Sequence, residues 1–497
     1  MSISIYRAPI TDASDFIKAI LIDEFAISDS RANTLYNLVI KPHFDNLLDT
    51  IWLLAESNYV DKVYRDSYYH YFSSKLSNYE RDCVKISLFE GEISISDFGI
   101  EDKHVELQQK YRGFITLRPT DPQIVGRSIV SPIALKSNNF CCCTTKVHTT
   151  SNGQKFTVKG FPHSSQDGET ITCAETTLWA MMEYFSNKYS DYKPVLPSKI
   201  IEALNSLSAE RQVPSRGLNI QQMAFALRQF GFGTRIYSRG DYGSEFDSLL
   251  SCYIESGLPL IIAMDNFKTK KTIGHALLCI GHEKMSNAQI DSVGETNLSK
   301  GIKLYDYAKV ERDYIFIDDN RQTYQKAKLN SPAAHYTPEW HDCEITYFIV
   351  PLYTKIYLEA FEAKNFALNF LQNSYFPLAN DTEFLLRFFL TSSRSYKDQI
   401  ARNSTIQNGL KNEIIESQMP KFIWVAELST KDLIKRKKAN GLVILDATEA
   451  DIYFNKPIIM AVYQDNMIKF DDSHKELEKI PLPLHEFSIF EHNLQEF

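Results

Sequence analysis

Between residues 156 and 355 the chain places three helix-period segments first and clusters its apolar, β-branched runs afterwards. That order predicts an α+β fold with helices packed on an antiparallel sheet, and it disfavours the regular alternation of a doubly wound parallel sheet. The first helix follows Thr172 and lines up Ala174, Leu178, Met181, Met182 and Phe185 on one face. The second, within 219–233, aligns Ile220, Met223, Ala224, Leu227 and Phe230 and stops at Gly231. The third, within 245–257, aligns Phe246, Leu249, Leu250, Tyr253 and Ile254 and stops at Gly257. Strands are expected at 258–264, 275–282, 314–319 and 344–353, where apolar and β-branched residues dominate.

At 497 residues the chain exceeds what one hydrophobic core usually supports, so this central region needs flanking domains. Residues 1–155 mix a helical pattern at 44–57 and a tyrosine-rich amphipathic helix at 59–76 with a strand at 112–119. The polar, turn-prone stretch 148–154 sets a boundary near residue 155. Residues 356–497 read as one helix followed by a strand-rich domain, with strands at 421–428 and 441–448 and a hairpin in 457–470 turning at Asp465-Asn466. Hydrophobic residues are 44% and the net charge is −8, which argues against disorder and against binding nucleic acid through its phosphates. No apolar run reaches a membrane span, and the first residues lack the basic-then-apolar pattern of a secretory signal; the expected location is the cytoplasm. Eight cysteines are too few for a disulfide scaffold of this size, so reduced thiols are expected. The run Cys141-Cys142-Cys143, with His148 nearby, lacks a CxxC pair, and it is read as ordinary thiols in a strand or loop.

One cysteine is differently placed. Thr172-Cys173-Ala174-Glu175 fits a capping box, which makes Cys173 the first helical residue. The unsatisfied amides and positive dipole end there favour thiolate over thiol. A base is offered by His275, which follows Gly274 and opens an apolar strand with Leu277, Cys279 and Gly281 on its side of the pleat. His282, at the other end and on the opposite face, is the weaker candidate. The group that orients the imidazole is expected at the end of the 314–320 run, as Asp318 or Asp319; strand alternation favours Asp318, and a kink would exchange them.

This order of cysteine, Gly-His-Ala at a strand start and strand-end aspartate resembles the papain-like cysteine peptidases, and more closely their bacterial C39-like branch. The resemblance covers roughly residues 160–355. It implies a papain-like central domain and an oxyanion-hole glutamine shortly before the nucleophile, for which Gln166 stands seven positions ahead of Cys173. Both flanks look similar to parts of uncharacterised bacterial proteins that carry such a domain centrally.

The chemistry then expected is acyl transfer from a peptide or isopeptide substrate through Cys173, His275, Asp318 or Asp319, and Gln166, with no cofactor and no metal. The same triad could serve a transglutaminase-like transferase, a deamidase or an isopeptidase; a catalytically inactive peptide-binding module is the alternative that the intact Cys, His and Asp candidates argue against. The large flanks suggest a partner protein or a regulatory lid; neither nucleic acid nor membrane is expected as a partner.

Overall fold

The computed structural model describes residues 3–77, 79–207, 211–266, 273–373, 376, 378, 379, 381–471 and 476–497. Three large sheets and a two-stranded one, Lys438–Ala439 with Phe487–Ser488, organise these residues, and the middle large sheet carries the elements expected from the central region. Its strands run in the order Gln325–Ala327, Tyr314–Ile317, Ile273–Glu283, Leu260–Asn266, Glu344–Tyr353 and Phe232–Ser238, every pair antiparallel. The α+β expectation, with antiparallel strands, is therefore met.

Both faces of this sheet are covered, which explains why its strands read as continuous apolar runs. Ala276, Leu278 and Ile280 of the His275 strand join a core built around the helix Cys173–Lys188. Leu277 and Cys279 join a second core with the helix Phe246–Glu255 and the C-terminal sheet. The helix Cys173–Lys188 is buried along nearly its whole length, with Tyr184 stacked on Phe161 of the first sheet at 5.0 Å between ring centroids. The helices Ile220–Gln229 and Phe246–Glu255 end as expected, near Gly231 and Gly257, both at positive φ.

The first sheet has seven antiparallel strands, from Ile5–Pro9 at one edge to the hairpin Thr145–Ser151 and Gln154–His163 at the other. The turn-prone segment 148–154 makes this hairpin, through Asn152 and Gly153 at positive φ, so the sheet continues past residue 155 to His163. The helix expected over 44–57 is not formed. A short helix, Lys41–Asp45, ends there, and Ile51–Tyr59 is a strand paired on both sides. Burial on both faces gives its Ile-Trp-Leu-Leu-Ala run no alternation, so period alone does not separate it from a helix. The tyrosine-rich segment does form a helix, Lys62–His70, whose Tyr64 packs with Phe72 and Cys83.

The third sheet has eight strands and draws in Glu295–Asn297 and Lys303–Asp306 from the central region. Lys303–Asp306 pairs in parallel with Glu383–Ser392, whereas the other pairs in this sheet are antiparallel. The C-terminal hairpin is present, but Tyr463 pairs with Asn466, so its two loop residues are Gln464 and Asp465, one position earlier than expected. Finally, Gln495–Glu496 returns to pair with Phe140–Cys142, which itself extends the far end of the His275 strand. Among the described residues no helix is long and apolar enough to cross a membrane.

Candidate active site

The helix bearing Cys173 begins as the sequence predicts. Thr172 is extended, at φ −102°, and a capping box closes the first turn. Glu175 Oε2 accepts the Thr172 backbone N–H at 3.1 Å and its hydroxyl at 2.6 Å, while Ser215 Oγ donates to Oε1 at 2.5 Å. Cys173 is thus held at the open amide end of a long helix, and its side is partly exposed whereas six of the other seven cysteines are buried.

The loop leading to Cys173 is tied down from two directions. Within it, Asp167 Oδ1 accepts the backbone N–H groups of Glu169, Thr170 and Ile171 at 2.9, 2.6 and 3.0 Å. From the first sheet, the buried Arg118 donates through Nη2 to the carbonyls of Ser165 and Gln166, at 2.8 and 2.5 Å. Tyr71 donates to Glu169 at 2.8 Å, and Lys75 forms an ion pair with the same carboxylate. The N-terminal region therefore helps to position the loop before the cysteine, a contribution that residue patterns along the chain do not disclose.

His275 lies at the start of its strand, with its side chain 1% exposed. Its Nε2–H donates to Asp318 Oδ1 at 2.9 Å, while Asp319 Oδ1 lies at 3.6 Å. Asp318 is accordingly the hydrogen-bonded partner, as alternation favours, and Asp319 stands beside it. The Cys173 side chain stands near the same imidazole and helps to raise its pKa. With Nε2 committed to Asp318, Nδ1 is the nitrogen left for the thiol.

Asp318 also accepts the Asn320 backbone N–H at 3.0 Å through Oδ1 and the Tyr336 hydroxyl through Oδ2. Its backbone is fixed in turn by His163 of the first sheet, whose Nε2–H donates to the carbonyls of Asp318 and Arg321 at 3.2 and 3.0 Å. Tyr336 stacks on Trp340 at 5.1 Å, and the Trp340 ring meets the His275 ring edge-on at 5.2 Å. Together these aromatics cover the His275–Asp318 bond. Tyr336, Trp340 and Asn320 carry no periodic signal and were not singled out in the sequence; the aromatic cluster near 334–340 is the only hint of them.

The charges at the site reinforce one another. Burial pushes the His275 pKa down, but the Asp318 charge and its hydrogen bond, with the neighbouring Cys173 and the Asp319 charge, together hold it well above its ordinary value. Burial pushes the Asp318 carboxyl up, yet the His275 charge and hydrogen bonds from His275, Tyr336 and the Asn320 amide bring it below the usual range. Asp319 goes the other way: burial raises it, His275 opposes, and the neighbouring Asp318 charge adds to the rise. Neither Asp319 oxygen has a hydrogen-bond partner of normal geometry; the backbone amides of Gln166 and of Asp319 itself are the nearby donors that lower its pKa a little.

Gln166 reaches the site through its side chain, whose Nε2 donates to Asn320 Oδ1 at 3.0 Å. One of its two N–H bonds is used there, and the other is free in principle for a substrate oxygen. His275, Asp318 and Asp319 are therefore together, Gln166 is linked to Asn320 next to them, and Cys173 stands near the imidazole. His275, Asp318 and Asp319 also have donor atoms within 4.8 Å of one another, the one such three-residue cluster among the described residues that could hold a cation. By contrast the three-cysteine run and His148 do not converge: Cys142 and Cys143 are buried, and His148 Nδ1 bonds Thr157 Oγ1 at 2.9 Å. No protein-family model matches the chain, and a search of curated proteins gives no match.

Proposed function

We propose that the protein is a cysteine peptidase or related thiol hydrolase with a papain-like central domain, acting on a peptide or isopeptide bond. The observation that carries this reading is the buried His275–Asp318 hydrogen bond at 2.9 Å, with Cys173, the first residue of a long helix, as a further neighbour that raises the His275 pKa. In the mechanism it supports, a Cys173 thiolate attacks the carbonyl carbon. The His275 imidazolium, stabilised by Asp318, gives its proton to the leaving amine. A water then enters, His275 takes its proton, and the acyl group leaves sulfur as a carboxylic acid. In this mechanism the Cys173 backbone N–H and the Gln166 side-chain amide receive the oxyanion in both steps. With an amine in place of water the same steps transfer the acyl group, which is how a transglutaminase-like activity would arise.

The test is hydrolysis of a pooled peptide library by the full chain, with products read by mass spectrometry. New termini that vanish in Cys173→Ala support the reading; cleavage that persists in that variant overturns it. A second reading, a divalent-cation centre on His275, Asp318 and Asp319, draws on the unpartnered Asp319 oxygens. Chelation separates the two: the thiol mechanism predicts unchanged turnover in EDTA, and a cation centre predicts its loss.

A further inference from the structure

At the other end of the His275 strand, a second cysteine and histidine meet. Cys141 Sγ lies 3.5 Å from His282 Nδ1 and 3.7 Å from Nε2. The ring is held on its far side by Glu255, whose Oε2 is 3.0 Å from Nε2, and Nδ1 lies 2.9 Å from the Glu283 carbonyl oxygen. With an acceptor at each nitrogen, both are served by N–H groups, which is the arrangement of an imidazolium. Glu255 is in turn clamped by Arg387 at 2.6 Å, with Arg312 at 3.9 Å. Burial and Arg312 push the His282 pKa down, but the Cys141 charge and the hydrogen bonds to Cys141 and Glu255 carry it up to about 9.

This cluster faces a cavity of about 330 Å³ that admits Cys141 to its wall, together with Lys284, Lys435 and Lys437. Of the eight thiols, Cys141 and Cys173 are the two that are not buried. Here a partly exposed sulfur lies against a fixed imidazolium, in a cavity where Lys284, Lys437 and Arg387 face Glu496, Glu491 and Glu255; partly exposed sulfurs beside fixed cations are where reactive cysteines are found. The site is independent of Cys173 and plays no part in the mechanism proposed above.

We propose that Cys141 is a second reactive thiol, a modification site that takes oxygen from hydrogen peroxide. The thiolate attacks one peroxide oxygen, an S–O bond forms and the O–O bond breaks. The hydroxide that leaves takes a proton from solvent and departs as water, while the His282 imidazolium stays bonded to Glu255 and the Glu283 carbonyl. Sulfur is oxidised by two electrons to the sulfenic acid and the peroxide is reduced, with no other reactant needed. The strand Gln495–Glu496 runs beside Cys141 in the same sheet, with Glu496 in register with it.

The experiment is peroxide treatment of the full chain carrying Cys173→Ala, at about pH 6, with dimedone trapping and peptide-resolved mass spectrometry. The same protein in urea is the reference, where an ordinary thiol of pKa ~8.5 is less than about 1% ionised. We expect Cys141 to be trapped at least about tenfold faster in the folded protein than in urea, and His282→Gln to abolish the difference. Trapping that is equal or slower in the folded protein would show a shielded, unactivated thiol and overturn the proposal. Because this comparison uses folded and unfolded states of one chain, it stands even if the His282 variant does not fold.

Discussion

Replacing Asp318 by asparagine is expected to keep the outline of the site and change its charge. The native carboxylate receives three donors: His275 Nε2–H at 2.9 Å and the Asn320 N–H at 3.0 Å on Oδ1, and the Tyr336 hydroxyl on Oδ2. An asparagine oxygen can keep the first two, and its NH₂ can donate to the Tyr336 oxygen once that hydroxyl turns. The charge, however, is gone. A buried opposite charge in contact moves a pKa by roughly 1–3 units, worth about 1.4 kcal/mol each. Asp318 raises the folded-state His275 pKa, so the imidazolium contributes stability fully below its unfolded value of about 6.5 and loses it as pH rises through the folded value. The variant should therefore lose the imidazolium at a pH lower by roughly 1–3 units. The assay is the His275 ring Cε1–H resonance in histidine-labelled protein, assigned with His275→Gln and followed against pH. Asp318→Ala supplies the contrast, because it orphans all three donors. At about 1–3 kcal/mol for each, the loss is roughly 3–9 kcal/mol, a large part of the ~5–15 kcal/mol of a typical domain. An unmoved His275 titration in the asparagine variant, or an alanine variant as stable as the asparagine one, would refute this reasoning.

Other consequences can be measured on stability. Thr172→Ala removes the hydroxyl that Glu175 accepts and should cost about 0.5–2 kcal/mol in urea unfolding, with most of it restored by Thr172→Ser. Glu183, deep in the Cys173 helix, pairs with the buried Arg127 of the first sheet at 2.8 Å and with Lys62 at 2.9 Å. Glu183→Gln should cost about 3–5 kcal/mol at pH 7, because Arg127 is left charged and buried. Burial pushes the Glu183 carboxyl up, but Arg127 and Lys62 outweigh it and hold the pKa below its ordinary value. Its stabilisation is present above about pH 4.3 and is lost as pH falls through the folded value, so melting curves of the two proteins should converge in acid.

How much of this was legible in the sequence depended on whether the signal was local. The Cys173 helix announced itself through its capping residues and its 3.6-residue period, and the strands at 258–264, 275–282 and 344–353 through their apolar runs. Asp318, the residue just past the strand Tyr314–Ile317, bonds His275 as alternation favours, but Asp319 comes within 3.6 Å of the same ring, which alternation did not foretell. Where period failed, burial on both sides was the cause: Ile51–Tyr59 lies inside a sheet and has no polar face to betray a two-residue repeat. The hairpin near 465 was found, but its register is decided by which residue tolerates positive φ, and Gln464 does so at 51°. Long-range pairing was not legible at all. Nothing in residues 303–306 foretells a parallel partner at 383–386, nor does the Arg118 sequence context point to the loop before Cys173. Such contacts are set by tertiary packing, and a single chain carries no local mark of them.

The central claim is that Cys173 is paired with His275. Limiting iodoacetamide at about pH 6, where an ordinary thiol is almost wholly protonated, with each of the eight cysteines quantified by mass spectrometry, tests it most directly. Cys173 in the folded protein should be alkylated well ahead of the six buried thiols and ahead of itself in urea, and His275→Ala should remove this advantage. Cys173 alkylated no faster in the folded chain than in urea, or as fast without His275, would contradict it.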